Sequence, residues 1–178
     1  CSPISSPSKL GPMSTFSRFD RNQLRLLPLT ERTHDFGINE VLPLDVATPD
    51  FDHHGLDSIA DRMAKARDNG RAVVFMMGAH VIKVGLSRFV IDLMERGLIT
   101  HVAGNGACAI HDYELALIGA TTESVADYIR VGQFGLWEDT GALNDIAVTA
   151  ARSDLGFGEA VGRTILEGDF PHKDVSIC

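Results

Sequence analysis

RAVVFMMGAHVIKVGLSRFVIDLMERG (residues 71–97) and LITHVAGNGACAIHDYELALIG (residues 98–119) decide how this chain is read. Each begins with an apolar run suited to a strand covered on both faces, breaks into a loop of small and polar residues, and continues with helical periodicity. In an open parallel sheet the loops leaving the carboxyl ends of the strands line the ligand crevice. Two consecutive units of this kind predict an α/β fold, a Rossmann-like parallel sheet flanked by helices, with two loops able to bracket one nucleotide.

Working outward, the spacing predicts a helix over about 52–69, with Leu56, Ile59, Ala60, Met63 and Ala64 on its inner face. Asp50 or Asp52 would cap its start and Gly70 would end it. Strands are expected at 72–77 and 98–103. Between them a single helix should run from Gly78 to Gly97 with Ile82, Leu86, Phe89, Val90, Leu93 and Met94 inward. Further helices are expected at about 109–118, 123–130, 138–151 and 158–167. Leu27-Pro28-Leu29 and Leu42-Pro43-Leu44 forbid a regular helix, so residues 16–50 read as an irregular arm wrapping a neighbouring surface. Residues 1–15, rich in Ser and Pro, read as a disordered tail, with Gly11-Pro12-Met13 a scar ahead of a native start at Met13. The remainder, 16–178, reads as one domain that is incomplete at its C-terminus.

The chain has 178 residues, a formal net charge of −8 and 44% hydrophobic residues, values that suit one soluble domain with a core and argue against a general nucleic-acid binder. The acidic balance would suit a cationic small substrate. Cys1, Cys108 and Cys178 form neither a disulfide framework nor a zinc spacing, which points to a reducing, cytoplasmic setting. No apolar run reaches the roughly 18 to 20 residues that span a bilayer, and no membrane association is expected.

In the first loop, Gly78 lets backbone approach a ligand, the following helix offers N–H groups to a phosphate, and His80 and Lys83 are the side chains at hand. In the second, Asn105, Gly106 and Ala107 could line a pyrophosphate or ribose. Equally, both loops could be tight turns and Lys83 a solvated residue. His111 and Asp112, with Glu114 a weaker candidate, could bind an amine, relay a proton or hold a metal. The same carboxylates would also be favoured near a helix start without any function. His53-His54 reads as a solvated helix start, Cys108 as a small packed residue and Trp137 as a packing anchor.

At FMMGAHVIKVGLSRFVIDLMERG and ITHVAGNGACAIHDYELALIG the chain resembles the N-terminal half of the deoxyhypusine synthase family, nearest its prokaryotic deoxyhypusine-synthase-like branch. The resemblance implies an NAD-dependent transferase moving an aminobutyl group from a polyamine such as spermidine to a protein or small-amine acceptor, in a homotetramer. It places Gly78, His80, Lys83, Asn105, Gly106 and Ala107 around NAD. It also places His111, where the eukaryotic enzymes carry a glutamate, and Asp112 toward the polyamine. The family's catalytic lysine segment has no counterpart here, so no catalytic residue is assigned and the chain alone is expected to be inactive. Two other readings remain: a non-catalytic interaction module, and a metal-dependent hydrolase using His80, His101, His111 and Asp112.

Overall fold

A computed structural model describes residues 20–47 and 50–178; the tail expected over 1–15 lies outside them. Eleven strands and α-helices occur among the described residues: β1 His34–Gly37, α1 Leu56–Asp68, β2 Val74–Met76, α2 His80–Lys83, α3 Ser87–Glu95, β3 His101–Ala103, α4 Gly106–Ile118, β4 Ala120–Glu123, α5 Val125–Arg130, α6 Glu138–Arg152 and α7 Phe157–Glu167. Among the described residues no helix is long and apolar enough to cross a membrane.

β2 and β3 pair in parallel, with Val74 opposite His101, Phe75 opposite Val102 and Met76 opposite Ala103. The pairing expected from the two apolar runs is therefore present, and the loops after both strands leave from the same end. The strands are shorter than their apolar runs, although bonds between the two segments extend past them, from Thr100 and His101 N–H to the Val73 carbonyl and from Met77 N–H to the Ala103 carbonyl. Phe75 and Val102 face a core with Phe36, Ile82, Val90, Leu115 and Val175. The other face is open, with Val74 and Met76 54% and 80% exposed, so β2 lacks the cover on both faces that its apolar run predicts.

α4 is the hub. Nearly every position from Cys108 to Ala116 is buried, so the helix is enclosed on several sides rather than amphipathic. It meets the first core on one flank. On another, Tyr113 and Ala116 pack with Leu143, Val161 and Ile165 of α6 and α7. The Asn105 side chain accepts from Cys108 N–H, so the helix starts at Gly106, earlier than expected. Gly119, at φ 66°, supplies the left-handed residue that ends it.

Several expectations need correction. The helix after Gly78 is two helices, broken at Gly85, whose φ of 81° no helix accommodates. A Cβ there would also collide with the Glu40 carbonyl, so the position tolerates only glycine. α1 begins at Leu56 with no side-chain cap, and none of its residues is buried. Leu56 and Ile59, expected inward, are 47% and 55% exposed. The segment after Gly119 opens as β4, antiparallel to β1, before α5 begins at Val125. The β-branched Thr121, opposite Phe36, suits the strand there, whereas Thr122 departs from it at a φ of 67°. The arm expected to be wholly irregular contributes β1, and its described part packs on this chain's own elements: Leu27 bridges Trp137, Leu29 N–H donates to Asp139, and Leu29 is fully buried.

Candidate functional site

Gly78 follows β2 and Gly106 opens α4 just beyond β3, side by side at the carboxyl ends of a parallel pair. A Cβ on either glycine would meet nothing within 4 Å, so open space lies in front of both loops. A cavity of about 860 Å³ runs along β3 and takes in Gly104, Asn105 and Gly106, with Met77, Ile82 and Ile99 among its apolar lining. That volume falls within the range of ligand pockets. The first N–H groups of α4, on Gly106 and Ala107, have no partner inside the helix, and the positive end of its dipole points the same way.

The structure divides the remaining candidates between two flanks of α4. Cys108 and Asp112 border the cavity. Cys108 is buried, its Sγ 3.6 Å from the Met77 carbonyl and from Asn105 Oδ1. Asp112, expected to face a polyamine, is 1% exposed. Its carboxylate accepts from Ser176 Oγ at 2.6 Å, Ile177 N–H at 2.8 Å and Cys178 N–H at 3.1 Å. It pins residues 176–178 against the core. Adjacent helical residues point about 100° apart, so His111 turns to the other flank, toward α2.

There His111 Nδ1 lies 2.8 Å from Thr121 Oγ1. The Thr121 hydroxyl donates to Glu114 Oε2 at 2.7 Å. Glu114 also accepts two bonds from Arg32, at 3.0 and 2.6 Å, and one from Thr140 Oγ1 at 2.6 Å. Both charged side chains are almost fully buried. Burial works to raise the Glu114 carboxyl, but the bonds from Arg32, Thr140 and Thr121 outweigh it and hold the group below the usual glutamate value. Burial pushes His111 below the usual imidazole value; the Glu114 charge opposes this, while Lys83, Arg32 and His80 act with it. Arg32 further lies 5.4 Å from the ring centroid of Trp137, whose Nε1–H donates to Glu123.

His80 is exposed and Lys83 half-buried at the two ends of α2, and neither borders the cavity. Ala107 is exposed on the first turn of α4. The set proposed for a hydrolytic metal site does not converge: among the described residues no three His, Cys, Asp or Glu side chains are placed to share a metal ion. Sequence reading missed Arg32 altogether. The available signal was Glu114 itself, a carboxylate inside the apolar run Tyr113–Ile118, where a buried charge demands a partner.

A parallel strand pair with glycine loops at its carboxyl ends and a helix start beside a cavity defines a Rossmann-type domain. Residues 57–168, more than half of the chain, match the family described as "Arginine dihydrolase ArgZ-like, C-terminal, Rossmann fold". The chain belongs to that family. It matches no curated protein and no solved structure. The family match corrects the resemblance to deoxyhypusine synthase, and with it the transferase, spermidine and aminobutyl-transfer readings. The strand–glycine loop–helix unit that carried the resemblance serves nucleotide-binding sheets of many chemistries, so it specifies a fold and not a reaction.

Proposed function

We propose that this chain is the nucleotide-binding domain of an arginine dihydrolase-like protein, and that it holds NAD at the carboxyl ends of β2 and β3. One observation carries the reading: Gly78 and Gly106 sit side by side with free space before both, next to a cavity lined by Gly104-Asn105-Gly106. A pyrophosphate would receive the N–H groups of Gly106 and Ala107, and the α4 dipole favours its charge. Lys83 and His80 follow Gly78 on α2, outside the cavity lining, and would meet only a part of the ligand that reaches beyond it. Met77, Ile82 and Ile99 offer apolar surface to an aromatic base. When bound, NAD supplies a hydride acceptor; the chain's part is to bind and orient it. The family name places hydrolysis of arginine with the protein as a whole, and we assign this domain no step of that hydrolysis.

Calorimetry with NAD on the whole chain tests the reading, with Gly106→Val as the probe. Because a Cβ at Gly106 meets nothing, the variant should keep its melting temperature while losing affinity by at least about tenfold, or roughly 1.4 kcal/mol. Absence of heat at about 1 mM NAD, equivalent to binding weaker than roughly −4 kcal/mol, would overturn it.

A further inference from the structure

The hydroxyl of Thr121 has one hydrogen, and its 2.7 Å bond to the Glu114 carboxylate uses it. Toward His111, at 2.8 Å, the same oxygen can therefore only accept, so the imidazole hydrogen must sit on Nδ1. In the neutral ring this leaves the Nε2 lone pair free. Nε2 has no hydrogen-bond partner among the described residues. The buried side-chain N or O atoms lacking partners there are Ser87 Oγ and Thr122 Oγ1, so His111 Nε2 reaches open space. Arg32 and Thr140 hold Glu114 in place, and β4 holds Thr121, so the ring is oriented from behind by a fixed chain of bonds. α2 packs against α4, and the charges of its Lys83 and His80 act on His111.

We infer that His111 is a proton-accepting residue, its Nε2 presented between α2 and α4 to a ligand whose anionic group pairs with Lys83 and whose adjacent O–H or N–H faces the imidazole. A carboxylate or phosphate carried beside a hydroxyl or amine has that chemistry. His111 would be the residue that touches the ligand, and Thr121 and Glu114 would position it. Proton transfer is balanced within the pair: the ligand's O–H or N–H bond breaks, Nε2 gains the proton, and the ring becomes an imidazolium between Thr121 and the ligand. The groups that set its titration are Glu114 on α4, Lys83 and His80 on α2, and Arg32 on the arm. The location beside the nucleotide rests on the NAD reading; the protonation pattern does not.

Two measurements on the whole chain test this separately. Two-bond proton–nitrogen NMR at neutral pH should show His111 as the Nδ1–H tautomer. Thr121→Val should lose that preference and Thr121→Ser should keep it. A wild-type ring protonated on Nε2, or an unchanged spectrum in Thr121→Val, overturns the inference. Diethyl pyrocarbonate, whose carbonyl carbon is attacked by an unprotonated imidazole nitrogen with loss of ethyl carbonate, should modify His111 at Nε2. The midpoint of that reaction should lie below the usual histidine value. Saturating NAD should suppress the modification. If calorimetry shows NAD bound while the modification rate stays unchanged, the site does not adjoin the nucleotide and the inference fails. If NAD does not bind, the nucleotide reading fails and the tautomer result alone decides the proton-accepting role.

Discussion

Replacing Glu114 by glutamine should destabilise the protein by about 3–5 kcal/mol, the cost of leaving one member of a buried ion pair uncompensated. The geometry supports the upper part of that range. Oε1 faces Arg32 Nη1 and Thr140 Oγ1, while Oε2 faces Arg32 Nη2 and Thr121 Oγ1. Whichever oxygen becomes the amide nitrogen, its hydrogens point at a guanidinium hydrogen that cannot rotate away. Arg32, almost fully buried, would keep its charge with no counter-ion. With a urea slope of about 2 kcal/mol/M, the unfolding midpoint should fall by about 1.5–2.5 M at unchanged slope. The double variant Arg32→Leu/Glu114→Leu removes both charges and should recover much of the loss, which makes the coupling measurable as a cycle. A single Glu114→Gln variant within about 1 kcal/mol of wild type would refute the reasoning, since that is the value of an exposed pair.

The same pair has a pH signature. The folded Glu114 carboxyl lies below the usual glutamate value, so between the folded and unfolded values the unfolded chain binds more protons. Its stabilisation is complete above the unfolded value of about 4.3 and is lost as pH falls through the folded value. Glu114→Gln should abolish that part of the acid transition. His111 acts in the same direction at higher pH: its folded value is also lowered, so its contribution fades as pH drops below about 6.5.

Two further outcomes follow from the backbone and from Asp112. Gly85→Ala should cost more than about 2 kcal/mol in thermal unfolding, because φ is 81° and the added methyl meets the Glu40 carbonyl; an unchanged melting temperature would contradict the turn described here. Asp112→Asn turns an acceptor into a donor facing Ser176 or the amides of residues 177 and 178, at about 1–3 kcal/mol. Hydrogen exchange should then speed at the Ile177 and Cys178 amides, and unchanged protection there would show that the carboxylate does not hold this segment.

How far the sequence reached depended on whether a signal was local. The apolar runs at 72–77 and 98–103, each closed by glycine, announced a parallel pair, since such runs are typical of parallel strands, but they misled on cover: only one face of β2 packs on the core. Gly119 marked the end of α4 through a local signal, while Asn105, read as a loop residue, proved to cap its start three residues earlier than expected. β1 and β4 were missed because Phe36 and Thr121, which oppose each other, are far apart in sequence and neither segment has a long alternating pattern. The inward face assigned to α1 failed for a related reason: periodicity says which residues share a stripe, but not whether anything covers it.

Function was less legible than fold. The glycine loops were readable as loops, and no residue in them names the chemistry they serve, which is why a resemblance built on them led to the wrong family. His111 and Asp112 looked like one site on paper because they are neighbours in the chain. Helical geometry sends them to different flanks of α4, about 100° apart, one held by Thr121 and the other by residues 176–178. From the sequence alone came the strand–loop–helix order, the glycine that ends α4 and the candidate ionisable groups, since each is written in short-range pattern. Only the tertiary structure decided that Arg32 meets Glu114, that Thr121 fixes the imidazole hydrogen, and that Asp112 is consumed by the backbone, because those pairings join segments that nothing local brings together.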